Sequence, residues 1–250
     1  MDWRDDAIVL ALRRQGESSA VVTVLSRDHG RHAGWLRGAR DGRPRGGLEP
    51  GTLVQARWRG RLAEQLGVFV LEAQLSHAAA LLDDPLRLAA LSAACAVCER
   101  ALPEHQPHPG AFAGLSVLLA QLPGPVWAAA YVQWEVAMLR ELGYGLDLSA
   151  CAITGGHDDL AYVSPRSGRA VSAAAAAPWR DRLLALPRFL VGRGDADAAA
   201  ILDGLALTGH FLARHLGETA GVADLPAARS RFAQTYRKMM AKSGSVPPHE

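Results

Sequence analysis

The stretch "TLVQARWRGR", Thr52–Arg61, alternates apolar and polar residues with a period of two. Val54, Ala56 and Trp58 fall on one face; Gln55, Arg57, Arg59 and Arg61 fall on the other. Successive side chains of a strand point to opposite sides, so the pattern is that of a half-buried β-strand. Working outward, four more runs read as strands: Ala7 to Leu12, Ala20 to Leu25, Arg31 to Gly38 and Gln65 to Ala73. The polar link Arg13–Ser18 joins the first two as a turn. Five short strands in about 75 residues predict a small closed or nearly closed barrel. Periodicity alone does not separate an OB-type barrel from an SH3-like one.

After Leu75 the period becomes helical. Helices are expected over Pro85–Leu102, Pro125–Leu142, Asp197–Leu216 (ended by Gly217) and from Pro226 to about Met240. Trp127, Tyr131, Trp134, Met138 and Leu142 form one stripe at helical spacing, which is the mark of a core-facing side. Asp84, just before Pro85, suits a helix N-cap, and Asp195 is the expected cap of the third helix. Leu160–Ser164 and Arg169–Ser172, joined by Pro165–Gly168, read as a β-hairpin inserted among the helices. The fold class is therefore α+β. Residues 1–76 form an N-terminal β-barrel domain, and residues 77–242 a mainly α-helical domain with the hairpin at 160–172. The polar, Pro-rich tail 243–250 is expected to be disordered.

Of 250 residues, 27 are basic and 25 acidic, giving a net charge of +2. Three cysteines, Cys95, Cys98 and Cys151, are a poor disulfide framework and suit a reducing cytosol. The start, MDWRDDAIVL, has no basic-then-apolar signal, and no run of about eighteen apolar residues predicts a membrane span.

The small net charge hides an uneven distribution. Residues 27–61 carry nine arginines against Asp28, Asp41 and Glu49, whereas residues 76–250 carry 15 basic and 16 acidic groups. The loop "GWLRGARDGRPRGGLEPG", Gly34–Gly51, holds four of those arginines among six glycines and two prolines. Clustered guanidiniums match phosphate oxygens, and glycines let backbone N–H groups approach them. Arg37, Arg40, Arg43 and Arg45 are the candidate phosphate contacts, extended by Arg57, Arg59 and Arg61. Trp35 and Trp58 are candidate stacking faces for unpaired bases. The alternative is a solvated loop and sheet face with both tryptophans in the core. For Trp58, which shares a face with Val54 and Ala56, the core is favoured. A second basic cluster, Arg229, Arg231, Arg237, Lys238 and Lys242, has no acid from Leu225 to His249. With Tyr131 and Trp134 beside it, Arg229, Arg231 and Arg237 are candidates for binding an acidic partner peptide, although an aromatic stripe more often packs inside.

Other chemistries lack their signatures. Cys95-x2-Cys98 followed by His105 and His108 resembles a zinc spacing, but cysteines in an alanine-rich helix pack as small apolar groups, and no metal is expected there. There is no G-x-S-x-G elbow and no P-loop. Gly192-Arg-Gly194 lacks the strand and third glycine of a dinucleotide site. No catalytic constellation emerges, so the chain is not read as an enzyme.

The segments "AIVLALRRQGESSAVVTVLSRDHGRHAGWLRGAR" and "GGLEPGTLVQARWRGR" resemble the RecO family of bacterial recombination mediators. So do "LRELGYGLDLSACAITG", "AYVSPRSGRAVS" and "LTGHFLARHL…LPAARSRF". The resemblance spans nearly the whole chain. It implies an OB-fold followed by a helical domain, binding of single- and double-stranded DNA, and annealing of complementary strands. It implies RecR and the acidic tail of single-stranded DNA-binding protein (SSB) as partners in loading RecA, without ATP and in a cytoplasmic, nucleoid-associated setting. Some members carry a four-cysteine zinc site after the L-G-Y-G segment. Here only Cys151 stands in that region, so the resemblance implies that zinc is lost, that no cofactor is bound and that Cys151 is a buried small residue.

Overall fold

The computed structural model describes residues 1–15, 19–37, 47–61, 66–221 and 224–243. The expected tail beyond residue 243 lies outside them. The chain divides into two compact units, Met1–Pro125 and Val126–Glu250.

In the first unit, β1 (Asp2–Gln15), β2 (Ser19–Ser26), β3 (Gly30–Arg37), β4 (Thr52–Arg59) and β5 (Gly67–Ser76) close a barrel in the order β1-β2-β3-β5-β4. Every ladder is antiparallel except β3–β5. This five-strand closure is the OB-type arrangement, which periodicity had left open. β1 starts earlier than its apolar run because it serves two neighbours. Asp2 to Ile8 pairs with β4, and Ala7 to Gln15 with β2. A register shift between Val9 and Ala11 bends the strand between them.

Alternation in β4 turns Val54, Ala56 and Trp58 into a core with Ala7, Val9, Val22, Val24, Leu36 and Phe69. The parallel seam opposes two glycines, Gly34 and Gly67. A Cβ on Gly67 would stand 2.4 Å from Trp58 Cε2, and one on Gly34 2.5 Å from Phe69 Cδ2. The seam needs glycine so that these two large rings can fill the barrel. Asp5, buried on β1, accepts hydrogen bonds from Ser26 Oγ and from the Asp28 and Asp6 amides, which pins the β2–β3 turn.

A 3₁₀ turn at Ala78–Leu81 and two α-helices follow the barrel among the described residues of this unit. In α1 (Pro85–Ala101) the Asp84 side chain caps the Leu86 and Arg87 amides, as expected. α1 packs against β1 and β2, and Arg13 of β1 binds Glu99 of α1 at 2.6 Å. The second helix, α2 (Pro109–Gln121), was not anticipated. Its apolar residues give no one-sided stripe, and Gly110 and Gly114 mask its propensity.

The second unit holds α3 (Trp127–Glu141), the hairpin strands β6 (Leu160–Val163) and β7 (Ala170–Ser172), α4 (Ala173–Ala176), and a 3₁₀ turn over Ala177–Arg182. Then come β8 (Leu184–Ala185), a 3₁₀ turn at Arg188–Val191, α5 (Ala198–Ala220) and α6 (Ala227–Ser243). The hairpin forms as expected, and β8 adds a third strand beside β6. Three boundaries differ from expectation. α3 begins at Trp127, after Pro125. α5 is capped by Asp197, which accepts from the Ala200 amide at 2.8 Å, and not by Asp195. It also runs through Gly217 to end at Gly221, whose φ is +68°. Tyr131, Trp134 and Met138 lie in the core, so the α3 stripe faces inward.

Candidate nucleic-acid interface

Strand alternation places Arg57 and Arg59 on the outer face of β4. Their side chains are 56% and 70% exposed, and both reach Asp2 of β1. Arg57 bonds Asp2 Oδ1 and Oδ2 at 3.2 and 2.9 Å, and Arg59 bonds Oδ2 at 3.0 Å. These bonds hold the Asp2 carboxyl down to about 2 and raise the Arg57 pKa. One carboxylate therefore serves two guanidiniums. Arg61 is exposed just past the strand end.

The fold adds a cation that sequence reasoning missed. Arg4 of β1 is exposed and is the direct cross-strand partner of Arg57. Two hollows sharing Asp2 run over this face. One is lined by Trp3, Arg4, Gln55, Arg57, Val70 and Glu72, and the other by Met1, Arg59, Arg61, Leu66 and Val68. Val70 is 66% exposed. Four arginines thus face two carboxylates, Asp2 and Glu72, beside apolar surface. The face thus carries an excess of positive charge beside exposed apolar area. Alternation in β1 was the available signal for Arg4, hidden because its apolar run begins only at Ala7.

Arg37 closes β3, its backbone paired with Ser19. Arg40, Arg43 and Arg45 lie outside the described residues. Trp58 is 1% exposed and belongs to the core, so it offers no stacking face; Trp35 is half-buried on β3.

The second basic cluster divides. Arg231 and Arg237 are exposed on α6, but Arg229 is 1% exposed. Its Nε donates to Glu135 Oε1 at 2.5 Å, while Nη2 donates to Glu135 Oε2 at 2.8 Å and to the Leu205 carbonyl at 2.9 Å. Thr208 Oγ1 donates to the same carboxylate at 2.5 Å. Burial opposes the Arg229 charge, but Glu135 outweighs it and raises the pKa. Arg229 is therefore an internal tie between α3, α5 and α6, with no charge to offer a partner. Tyr131 and Trp134 are likewise buried.

Cys95 and Cys98 are buried in α1, where burial pushes the Cys95 thiol up to about 12. His105 packs on His32, ring centroids 4.3 Å apart, and His108 precedes α2. Cys151 is buried, and the Ser172 amide donates to its sulfur at 3.3 Å. Burial raises the Cys151 pKa, but hydrogen bonds from Ser172 and Thr154 outweigh it and bring it to about 6. Among the described residues no group of three or more His, Cys, Asp or Glu side chains converges on a metal position, and no helix is long and apolar enough to cross a membrane.

Known proteins share this sequence over nearly its whole length. Residues 1–77 match the family described as recombination protein O, N terminal, and residues 82–221 match recombination protein O, C terminal. The chain is 55% identical to a DNA repair protein RecO of Rhodospirillum centenum over 249 residues, 99% of each chain. It is 49% identical to the protein of that name from Rhodospirillum rubrum, covering 96% of this chain and 98% of the relative. For that of a Jannaschia species the identity is 46%, covering 98% and 100%.

Proposed function

Because this chain belongs to the RecO family of DNA repair proteins, we propose that it is a DNA-binding recombination mediator. In this role it binds single- and double-stranded DNA, anneals complementary strands and, together with RecR, helps RecA load onto SSB-coated DNA. The nucleic-acid-binding domain is residues 1–76. Its phosphate contacts are Arg37, Arg40, Arg43 and Arg45, extended by Arg57, Arg59 and Arg61. The observation that carries the reading is the exposed arginine face of an OB-type barrel, where guanidiniums outnumber carboxylates. Phosphates carry no base information, so binding is independent of sequence. Annealing follows because a cationic surface lowers the repulsion between two polyanions while leaving base edges free to pair.

If about six phosphates are neutralised on a single strand, log K falls against log salt with a slope near −4. Fluorescence anisotropy from low to moderate salt measures it. A slope near zero defeats the reading, as does unchanged SSB-coated strand annealing after alanine replacement of Arg37, Arg40, Arg43 and Arg45 together.

A second reading, an adaptor for an acidic partner tail with DNA binding secondary, rests on α6. There Arg231, Arg237, Lys238 and Lys242 are exposed together with Met239. Arg231 and Arg237 remain its candidate residues. Charge reversal at Arg231 that left affinity for an acidic-hydrophobic tail peptide unchanged would remove that surface.

A further inference from the structure

Past the hairpin, α4 runs directly into the 3₁₀ turn Ala177–Arg182, "APWRDR". Pro178 restrains its first residues, the Leu183 amide bonds the Arg180 carbonyl at 3.2 Å, and β8 then pairs with β6. The turn is thus anchored at both ends. All six of its residues are exposed, so it presents a platform and not a cleft.

Trp179 at its centre is 50% exposed, the only exposed large aromatic among the described residues. Single exposed apolar side chains are common and need no function. This one comes with organised cations. The Arg182 guanidinium lies 5.7 Å from the Trp179 ring centroid, and that of Arg180 lies 5.9 Å from the ring of Tyr162 on β6. Neither arginine forms an ion pair among the described residues. Two guanidiniums are therefore held against aromatic rings, one and three residues past the exposed indole, with Asp181 between them in sequence.

We propose that this turn is a further contact for single-stranded DNA, in which a base stacks on Trp179 while Arg180 and Arg182 take the neighbouring phosphates. The inference rests on the DNA-binding reading above and extends it to the second unit. A flat indole fits an unpaired base, whose π-face is open; in a duplex that face is already stacked on its neighbours. The local charge is only two arginines against Asp181, so stacking and not counterion release dominates this contact. An acidic peptide would call for a denser cationic patch and a hollow for its apolar side chains.

Trp179→Ala and Trp179→Phe in the full chain test this, with far-UV circular dichroism to confirm folding. Anisotropy is read with a labelled oligothymidylate, a duplex of equal length and an acidic-hydrophobic peptide. Trp179→Ala is expected to weaken single-strand binding about tenfold, leave duplex affinity within about twofold, and leave the single-strand salt slope unchanged. Trp179→Phe retains most of the affinity. Unaltered single-strand affinity in Trp179→Ala, with the wild type binding normally, overturns the inference alone. So does equal loss on duplex and single strand, or loss confined to the peptide. A wild-type chain that binds no DNA defeats the DNA-binding reading itself, and this contact with it.

Discussion

Arg4 of β1 stands directly opposite Arg57 of β4 in the antiparallel ladder of the barrel. Like charges facing across a ladder destabilise it, and Asp2, two residues along, relieves Arg57 only by also serving Arg59. A face that keeps this repulsion suits an anionic ligand. Arg4→Glu should stabilise the barrel by about 0.2–1 kcal/mol through a new cross-strand pair. It should also weaken DNA binding. Urea melts and anisotropy on the same samples check both signs; reduced stability, or DNA affinity that holds steady, contradicts the assignment of this face.

The Glu135–Arg229 pair should behave as a buried unit. Arg229→Ala leaves a buried carboxylate without its partner and should cost about 3–5 kcal/mol in chemical unfolding. Glu135→Leu combined with Arg229→Met removes both charges and should recover most of that loss. Additive losses in the double variant would count against the pair as drawn.

Acid should destabilise the first unit through His32. Burial first, and then the neighbouring His105 and His29, lower its pKa from 6.5 to about 4. Trp3 and Trp58 also face its ring. Below pH 6.5 the unfolded chain takes up a proton that the folded chain refuses, so stability is full above that pH and falls as pH drops toward 4. The linkage amounts to about 3 kcal/mol at most. His32→Gln should flatten the dependence of unfolding free energy on pH across this window; a slope identical to wild type would show that another group is responsible.

Gly67→Ala should destabilise by about 1–3 kcal/mol, because the added methyl meets the Trp58 indole in a filled barrel. Thermal unfolding reads the effect, and a neutral result would mean that Trp58 repacks freely.

The barrel was legible because its strands alternate, and alternation reports burial directly. Thr52–Arg59 needed no tertiary information to assign Trp58 inward and Arg57 outward. Elements defined by partners were less visible. Asp2 to Asp6 reads as a polar leader until β4 pairs with it. Arg229 looks like one more surface cation in a basic helix, since Glu135 lies 94 residues away and meets it only on folding. Trp179 sits in an alanine- and proline-rich stretch without period, where nothing local separates an exposed indole from a buried one. Gly217 read as a helix stop, yet α5 continues one turn to a glycine in the left-handed region.

Among the described residues the seam between β3 and β5 is joined by three residue pairs, Gly34–Gly67, Trp35–Val68 and Leu36–Phe69, whereas β1 and β4 share seven. Local opening follows the weakest ladder. Breathing of the barrel is therefore concentrated at one lateral slit. Amide deuteration should be quickest there among the barrel strands, and solvent should first reach Trp58 and Phe69 from that side.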